Sequence, residues 1–300
     1  MLGNFIDETG EFRLSLSKDI RGMLSLHEAS YLNTGEEILY KAKEFSGKHL
    51  KSCISNSEPN LARLITGALE HPYHISLQQY KARHYLSYRQ KLLGGNGAIE
   101  ELAVMDFSRS EQLYLKELKE FTNWWRRLGL AQNRELARNQ VLKWYSWSTT
   151  ILQGPHFSKY RVQMAKVVTF IYILDDIYDV VGSLDELPLF TEAINKWEHP
   201  SNNSLPDYMR MCYAALHDTT NEIANIITKE HGWNPIDSLK RVWAALCNSF
   251  MVEAKWFAAK HIPTTDDYLK NGTISTGARH RSALILSIRA RNNEQDRRFY

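Results

Sequence analysis

The amino-acid sequence predicts an all-α protein. Strand-like alternation of apolar and polar residues is absent, and glycine and proline lie mostly at the ends of apolar segments. A helical pattern is clearest where apolar side chains recur every three or four positions, as at Leu115, Leu118, Phe121, Trp125 and Leu128. Because similar spacing extends through most of the 300 residues, we expect ten or more helices.

Start and stop signals delimit the helices of the first half of the chain. Residues 34–37, Thr-Gly-Glu-Glu, predict a capping box that opens a helix extending to about Leu50. Gly129 supplies a stop for the helix that carries the apolar pattern. The next helix is predicted from about residue 132 to residue 152, because Gly154 and Pro155 follow it.

The second half is delimited in the same way. An apolar helix is predicted from about residue 158 to residue 181, where Gly182 ends it, and residues 183–186 cap the next helix. Residues 199–206 are rich in proline, serine and asparagine and predict a loop. Further helices are predicted over residues 207–231, over residues 235–260 and from residues 264–267 onwards.

A chain of this length suits one large domain or two ordinary ones. The glycine-rich residues 94–97, or the helix that follows them, offer a boundary. We therefore predict an N-terminal helical domain over residues 1–105, a second helical domain over residues 106–278 and a divergent, Arg-rich tail over residues 279–300.

Composition excludes several classes of protein. With 43% hydrophobic and 24% charged residues, the chain is globular and not disordered. Its three cysteines are far apart and odd in number, which argues against a disulfide framework or a cysteine zinc site and fits a reducing compartment. No run approaches the roughly 20 apolar residues of a membrane span, and the first residues lack the pattern of a targeting peptide. We expect no membrane partner and, for the chain as written, a cytoplasmic location.

The net charge of +3 does not indicate a nucleic-acid partner. Residues 279–300 contain six arginines against Glu294 and Asp296, a balance of +4, so removing this tail takes the net charge from +3 to −1. A basic surface would therefore depend on the tail alone. We expect no nucleic-acid binding, and the sequence leaves the oligomeric state open.

The most informative motif is an acidic string that ends an apolar segment. Asp175, Asp176 and Asp179 lie one to four positions apart, so a helix brings them together. Residues 167–174 before them are almost wholly apolar, which predicts a buried element, and burying unpaired charge is unfavourable. The pattern predicts a site for Mg²⁺, with Mn²⁺ as a substitute, because Mg²⁺ takes few carboxylates and also binds substrate phosphates. A solvated helix end is the alternative interpretation.

Several motifs occur in an order that resembles plant terpene synthases, over a stretch from about Phe5 to Ala278. The residues that carry the resemblance are 124–130 (Trp-Trp-Arg-Arg-Leu-Gly-Leu), 137–140 (Ala-Arg-Asn-Gln), the acidic string, 205–209 (Leu-Pro-Asp-Tyr-Met), 252–257 (Val-Glu-Ala-Lys-Trp-Phe) and 268–272 (Tyr-Leu-Lys-Asn-Gly). The Ala-Arg-Asn-Gln string and residues 154–158 (Gly-Pro-His-Phe-Ser) resemble the linalool/nerolidol synthase group in particular. The resemblance implies part of the family's N-terminal helical domain, followed by an incomplete class I α-helical barrel.

The resemblance also implies a reaction. Mg²⁺ on Asp175, Asp176 and Asp179 would hold the diphosphate of geranyl or farnesyl diphosphate. Loss of the diphosphate would leave an allylic cation, which water or ring closure would quench to give a monoterpene or sesquiterpene, such as a linalool- or nerolidol-like alcohol when water adds. Arg138 matches the first arginine of the family's Arg-x-Arg element and would bind the diphosphate, whereas Gln140 departs from the second. A chain-elongating prenyltransferase is a rival reading, since it too uses Asp-rich helices.

Two further residues are candidates for the wall of the pocket. Trp147 matches a pocket aromatic of the family, where its π face would stabilise a carbocation. Glu253 falls on a helix that faces the site in this family and is a candidate ligand. For each residue an ordinary role in the core is the alternative.

One motif of the family is not found. The family carries a second metal motif, Asn/Asp-Asp-x-x-Ser/Thr-x-x-x-Glu, and nothing like it follows Asp179. The sequence therefore predicts a chain truncated at both ends, with a frameshift or mis-spliced exon near Ala278 as a hypothesis for the tail, and with a plastid location open for a full-length parent. The alternative function is that of a catalytically inactive, truncated remnant or splice form.

Overall fold

A computed structural model describes residues 5–84, 86, 97–130, 138–198 and 205–277. Apart from an isolated bridge between Ile6 and Phe12, every regular element within these residues is helical, as the sequence predicts. The α-helices are α1 Ile20–Ser30, α2 Glu37–Cys53, α3 Pro59–Glu70, α4 Gln78–His84, α5 Gly97–Arg127, α6 Val141–Ile151, α7 Ser158–Asp176, α8 Glu186–Lys196, α9 Asp207–His231, α10 Ile236–Ala258 and α11 Thr265–Ser275. None of the helices in this described part is both long and apolar enough to cross a membrane.

The chain divides into two compact units, Met1–Gln112 and Leu113–Tyr300. The first unit has a small core in which Met23 of α1, Leu50 of α2 and Ile65 of α3 are buried. A buried hydrogen bond of 3.2 Å between His27 Nδ1 and Ser46 Oγ joins α1 to α2. The predicted domain boundary at residues 105/106 lies seven positions from the division between the units and stays a prediction.

The second unit is built around α7. Residues 161–170 of this helix are buried on every side, which is typical of a helix at the centre of a domain. Aromatic rings pack against it: Trp124 lies 6.0 Å from Phe170, and Phe170 lies 6.5 Å from Trp243, both measured between ring centroids. Because its middle is enclosed, α7 holds its C-terminal end, where the acidic string lies, in a fixed position.

A buried ion pair fixes the other end of α7. Arg161 is fully buried and donates to both carboxylate oxygens of Glu117, at 2.8 and 2.7 Å. The hydroxyl of Tyr145 donates to the same carboxylate at 2.8 Å, and burial together with this carboxylate raises the pKa of Tyr145. The network joins α5, α6 and α7.

Most predicted helix boundaries agree with the structure. The predicted helix over residues 207–231 coincides with α9, and the helix predicted over residues 158–181 is present as α7 and the turn after it. Before α8, the Ser183 amide and hydroxyl donate to the Glu186 carboxylate, which is one half of the predicted capping box; the N-cap itself is Asp185 and forms no side-chain capping hydrogen bond. The cysteines Cys53, Cys212 and Cys247 are free thiols, in line with the sequence.

Two predicted helix starts are wrong. Residues 34–37 do not form a capping box at the start of α2. Thr34 instead donates from its amide and its hydroxyl to the Glu36 carboxylate, and the Asn33 side chain accepts from the Gly35 and Glu36 amides. The helix begins only at Glu37. The helix predicted from residue 132 begins at Val141 instead. Residues 131–137 lie outside the described residues, and residues 138–140 are not helical.

Candidate metal and diphosphate site

The three aspartates lie where the central helix changes its winding. α7 ends at Asp176, and residues Ile177–Val181 continue as a single π-helical turn, which we call the π turn. Asp175 and Asp176 lie on the last α-helical turn, and Asp179 lies in the π turn. Such turns within helices are frequent at functional sites, where they change the direction in which side chains project.

Gly182 allows the π turn to close. Its amide donates to the Ile177 carbonyl at 2.8 Å. A Cβ at this position would lie 2.8 Å from the same carbonyl oxygen and 2.6 Å from Leu187 Cδ2. A backbone atom cannot rotate away as a side chain can, so any larger residue would displace the turn that carries Asp179.

Tyr178 anchors the π turn in the core. Its hydroxyl forms a 2.7 Å hydrogen bond with Thr191 Oγ1 of α8, and its ring centroid lies 5.7 Å from that of Phe250 on α10. The side chain is buried, so Tyr178 has a packing role. As a result, the aspartates on either side of it are held at the edge of a rigid core.

Arg138 binds the acidic site, by which we mean Asp175, Asp176 and Asp179. Its Nε donates to Asp176 Oδ2 at 2.9 Å, and a terminal nitrogen lies 2.5 Å from Asp176 Oδ1 and 3.7 Å from Asp175 Oδ2. This fork-shaped pairing is the geometry that guanidinium groups adopt with carboxylates and phosphates. The structure thus brings Arg138 to the acidic string, 38 positions away in sequence.

The acidic site carries excess negative charge. Partial burial, followed by the charges of Asp179 and Asp176, raises the pKa of Asp175 to about 6 even though Arg138 acts in the opposite direction. Partial burial and then the charge of Glu253 raise the pKa of Asp179. Asp176, which is only 7% exposed, has its charge matched by Arg138. One guanidinium thus faces three carboxylates, so the site keeps a net negative charge, which is least compensated at Asp175 and Asp179.

Glu253 of α10 faces this charge. Its negative charge acts on both Asp175 and Asp179. Asn271 of α11 holds it in place by donating to Glu253 Oε1 at 2.8 Å and to the Ser249 carbonyl at 3.1 Å. The sequence includes Asn271 in the 268–272 motif but assigns it no role, because nothing in its spacing relates it to a residue on the preceding helix.

Trp147 and Tyr172 lie on the two helices that lead to the site. Trp147 is 41% exposed on α6, whereas Trp144, one turn earlier, is buried. The Tyr172 ring lies close to two cations: Lys143 Nζ is 4.7 Å and Arg138 Cζ is 5.9 Å from its centroid. An aromatic and cationic surface thus borders the acidic site.

The chemistry of these donors fits a divalent cation. Within the described ranges, no three His, Cys, Asp or Glu side chains are arranged as a ready cluster for a metal ion. Mg²⁺ does not require such a cluster, because one or two carboxylates, waters and substrate phosphates suffice to hold it. Asp175 and Asp179 supply hard oxygen donors with uncompensated charge, which is the donor set that this ion prefers.

Two protein-family models match this chain. The model of the terpene synthase family metal binding domain matches residues 126–296, and the model of the terpene synthase N-terminal domain matches residues 1–69. The chain belongs to the terpene synthase family. The first of these matches includes the acidic site, Arg138 and Glu253, and it continues past residue 278 into the predicted tail.

Individual terpene synthases are similar to most of this chain. "Probable terpene synthase 13" of Ricinus communis is 42% identical over 91% of the chain and 48% of its own length. An (E)-nerolidol synthase of Cannabis sativa is 41% identical over 89% of the chain and 49% of its own length. The isoprene synthase of grey poplar, solved with three Mg²⁺ ions and dimethylallyl-S-thiolodiphosphate, superposes with a TM-score of 0.89 at 37% identity, covering 98% of this chain and 56% of that one. The chain thus spans about half the length of the curated relatives it matches.

Proposed function

We propose that this chain takes part in class I terpene synthase chemistry, in which geranyl or farnesyl diphosphate loses its diphosphate with the help of Mg²⁺. The expected product is a monoterpene or sesquiterpene, such as a linalool- or nerolidol-like alcohol. The observation that carries the proposal is the pairing of Arg138 with an acidic site of unmatched charge, at the end of a rigid buried helix. The Cannabis sativa relative is named a nerolidol synthase, which supports the type of product.

The residues of the site have distinct roles in this proposal. Asp175, Asp176 and Asp179 would hold Mg²⁺, with Mn²⁺ as a substitute; the ion, when bound, neutralises charge on the departing diphosphate. Arg138 donates hydrogen bonds to the diphosphate oxygens, because its fork matches phosphate as well as carboxylate. Both effects stabilise charge that develops as the carbon–oxygen bond breaks.

Glu253 and Trp147 complete the proposed pocket. Glu253 adds a carboxylate on the facing helix α10, where Asn271 holds it. Its negative charge contributes to the raised pKa of Asp175 and of Asp179. Trp147 offers a ring face that would stabilise the allylic cation. We also retain the division into residues 1–105, 106–278 and 279–300, with the reaction assigned to the second region.

Product analysis tests the proposal. The purified 300-residue chain is incubated with geranyl or farnesyl diphosphate and Mg²⁺, and volatile products are identified by gas chromatography beside an Asp176→Ala control. A terpene alcohol or olefin that disappears in the control supports the proposal. Absence of product from a chain shown to be folded by circular dichroism would instead support the inactive remnant. Longer diphosphates formed on adding isopentenyl diphosphate would support the prenyltransferase.

A further inference from the structure

Arg138 matches the charge of Asp176 in this structure. Both carboxylate oxygens are engaged, one by Nε at 2.9 Å and the other by a terminal nitrogen at 2.5 Å. A divalent cation that approaches Asp176 therefore meets a guanidinium of like charge already in contact with the carboxylate, and the two cations repel. Asp176 can therefore offer both oxygens to Arg138 or both to a metal ion, but not to the two at the same time.

The structure leaves Arg138 free to move away. Its side chain is half exposed, and it lies in the non-helical segment before α6. A guanidinium–carboxylate pair at such a position is only weakly favourable, because water and salt screen it. Asp176 is fixed by contrast: it is almost fully buried at the end of α7. When the pair opens, Arg138 is the partner that moves.

We propose that Arg138 is the resident counter-ion of Asp176, that a divalent cation displaces it, and that the released guanidinium then binds the diphosphate. The proposal rests on the function proposed above, from which it takes the cation and the diphosphate. Arg138 thus acts in two opposite directions. It weakens cation binding by competing for Asp176, and it strengthens diphosphate binding once the cation is in place.

Mn²⁺ alone is the probe for the first effect. It is titrated into the 300-residue chain while free Mn²⁺ is followed by electron paramagnetic resonance. We expect Arg138→Gln to bind Mn²⁺ about threefold to tenfold more tightly than the wild type, because the competing pair no longer holds Asp176. Lys143→Gln is the matched control: it removes a neighbouring positive charge whose contact is with the Tyr172 ring, and we expect less than about a twofold change.

Inorganic pyrophosphate is the probe for the second effect. With Mn²⁺ at saturation, calorimetry is expected to give about tenfold weaker pyrophosphate binding for Arg138→Gln, because charge-assisted hydrogen bonds are lost. Arg138→Lys keeps the charge but loses the fork, so its values are expected between those of the wild type and Arg138→Gln. Circular dichroism verifies that each variant is folded.

The outcomes separate this inference from the proposed function. If the wild type binds Mn²⁺ but Arg138→Gln binds it no more tightly, the exchange is overturned and the proposed function stands. Equal tightening in Lys143→Gln also overturns the exchange, because net charge alone then explains the effect. If the wild type binds no Mn²⁺, the metal site of the proposed function is contradicted, and so is the exchange.

Discussion

Two carboxylate–guanidinium pairs lie at opposite ends of α7, and their surroundings differ. Near the start of the helix, the fully buried Arg161 engages both oxygens of Glu117 and donates its remaining bonds to two loop carbonyls. At the end of the helix, Asp176 pairs with Arg138, whose side chain is half exposed. The first pair is enclosed by three helices, and the second borders solvent and two further aspartates.

The difference shows that burial determines what such a pair can do. A buried, hydrogen-bonded pair is costly to break, because either charge alone would stay buried without its partner. A pair at the edge of the core exchanges with water, ions or phosphates at little loss of stability. Unmatched charge on Asp175 and Asp179 adds a reason for a cation to enter. We therefore propose that one end of α7 serves stability and the other serves ligand binding.

The largest effect is expected from breaking the buried pair. Arg161→Met leaves the buried Glu117 carboxylate without its cationic partner, with only the Tyr145 hydroxyl still donating to it, and we expect a loss of about 3–5 kcal/mol in the free energy of unfolding, measured with urea. The double variant Glu117→Leu/Arg161→Met removes both charges and should recover most of the loss. If the free energy of unfolding of Arg161→Met lies within about 1 kcal/mol of that of the wild type, the buried pair does not differ from an exposed one, and the comparison is contradicted.

Gly182→Ala should destabilise the end of α7. The added Cβ lies 2.8 Å from the Ile177 carbonyl, so we expect a loss of about 1–3 kcal/mol together with weaker Mn²⁺ binding. Gly47→Ala is the matched control, since its Cβ meets nothing closer than 3.8 Å and a helix interior favours alanine. Thermal unfolding should show opposite shifts for the two variants; shifts of the same sign would contradict a tight π turn.

Asp175→Asn should raise stability in a pH-dependent way. The pKa of Asp175 in the folded chain is raised to about 6. The protonated carboxyl leaves the stability of the chain intact below the ordinary pKa of 3.8, and stability is lost as the carboxyl ionises while the pH rises through about 6. Removing the charge should therefore stabilise the chain at pH 8 by about 1 kcal/mol, a figure reduced for solvent screening, and by much less at about pH 4, where the carboxyl is largely protonated in the folded chain. An equal gain at both pH values in thermal unfolding would contradict the charge origin.

The smallest effect is expected from the pair at the edge of the core. Arg138→Gln should change the free energy of unfolding by only about 0.2–1 kcal/mol, because Arg138 is half exposed and water and salt screen the pair from its side. Urea unfolding at low salt and in 1 M NaCl checks this, and the small difference should shrink further in salt. A loss as large as that of Arg161→Met would mean that both pairs serve stability alone.

Much of this architecture follows from local sequence signals. The run over residues 167–174 predicts a buried helix because it lacks a polar face, and α7 is indeed enclosed. Ser183 and Glu186, three residues apart, mark the start of a helix, and the structure has the hydrogen bond from the Ser183 amide to the Glu186 carboxylate that this pattern predicts. Fold class could be predicted because each helix carries its own periodicity and end signals.

Contacts between helices could not be predicted from these signals alone. Arg138 pairs with Asp176 because the segment before α6 is not helical, whereas local spacing predicts a continuous helix there. The π turn depends on how Tyr178 packs between α8 and α10, which no local pattern encodes. The link from Asn271 to Glu253 likewise requires two helices to be in place.

Pyrophosphate release tests the central claim most directly, because it counts every ionisation whatever becomes of the carbocation. Geranyl and farnesyl diphosphate are supplied to the wild type, to Asp176→Asn and to Asp237→Asn, a control on an exposed aspartate in the first turn of α10. We predict Mg²⁺-dependent release by the wild type and the control, and a loss of about 100-fold or more in Asp176→Asn. Release by Asp176→Asn at the wild-type rate, or release that persists in a chelator, would contradict the account.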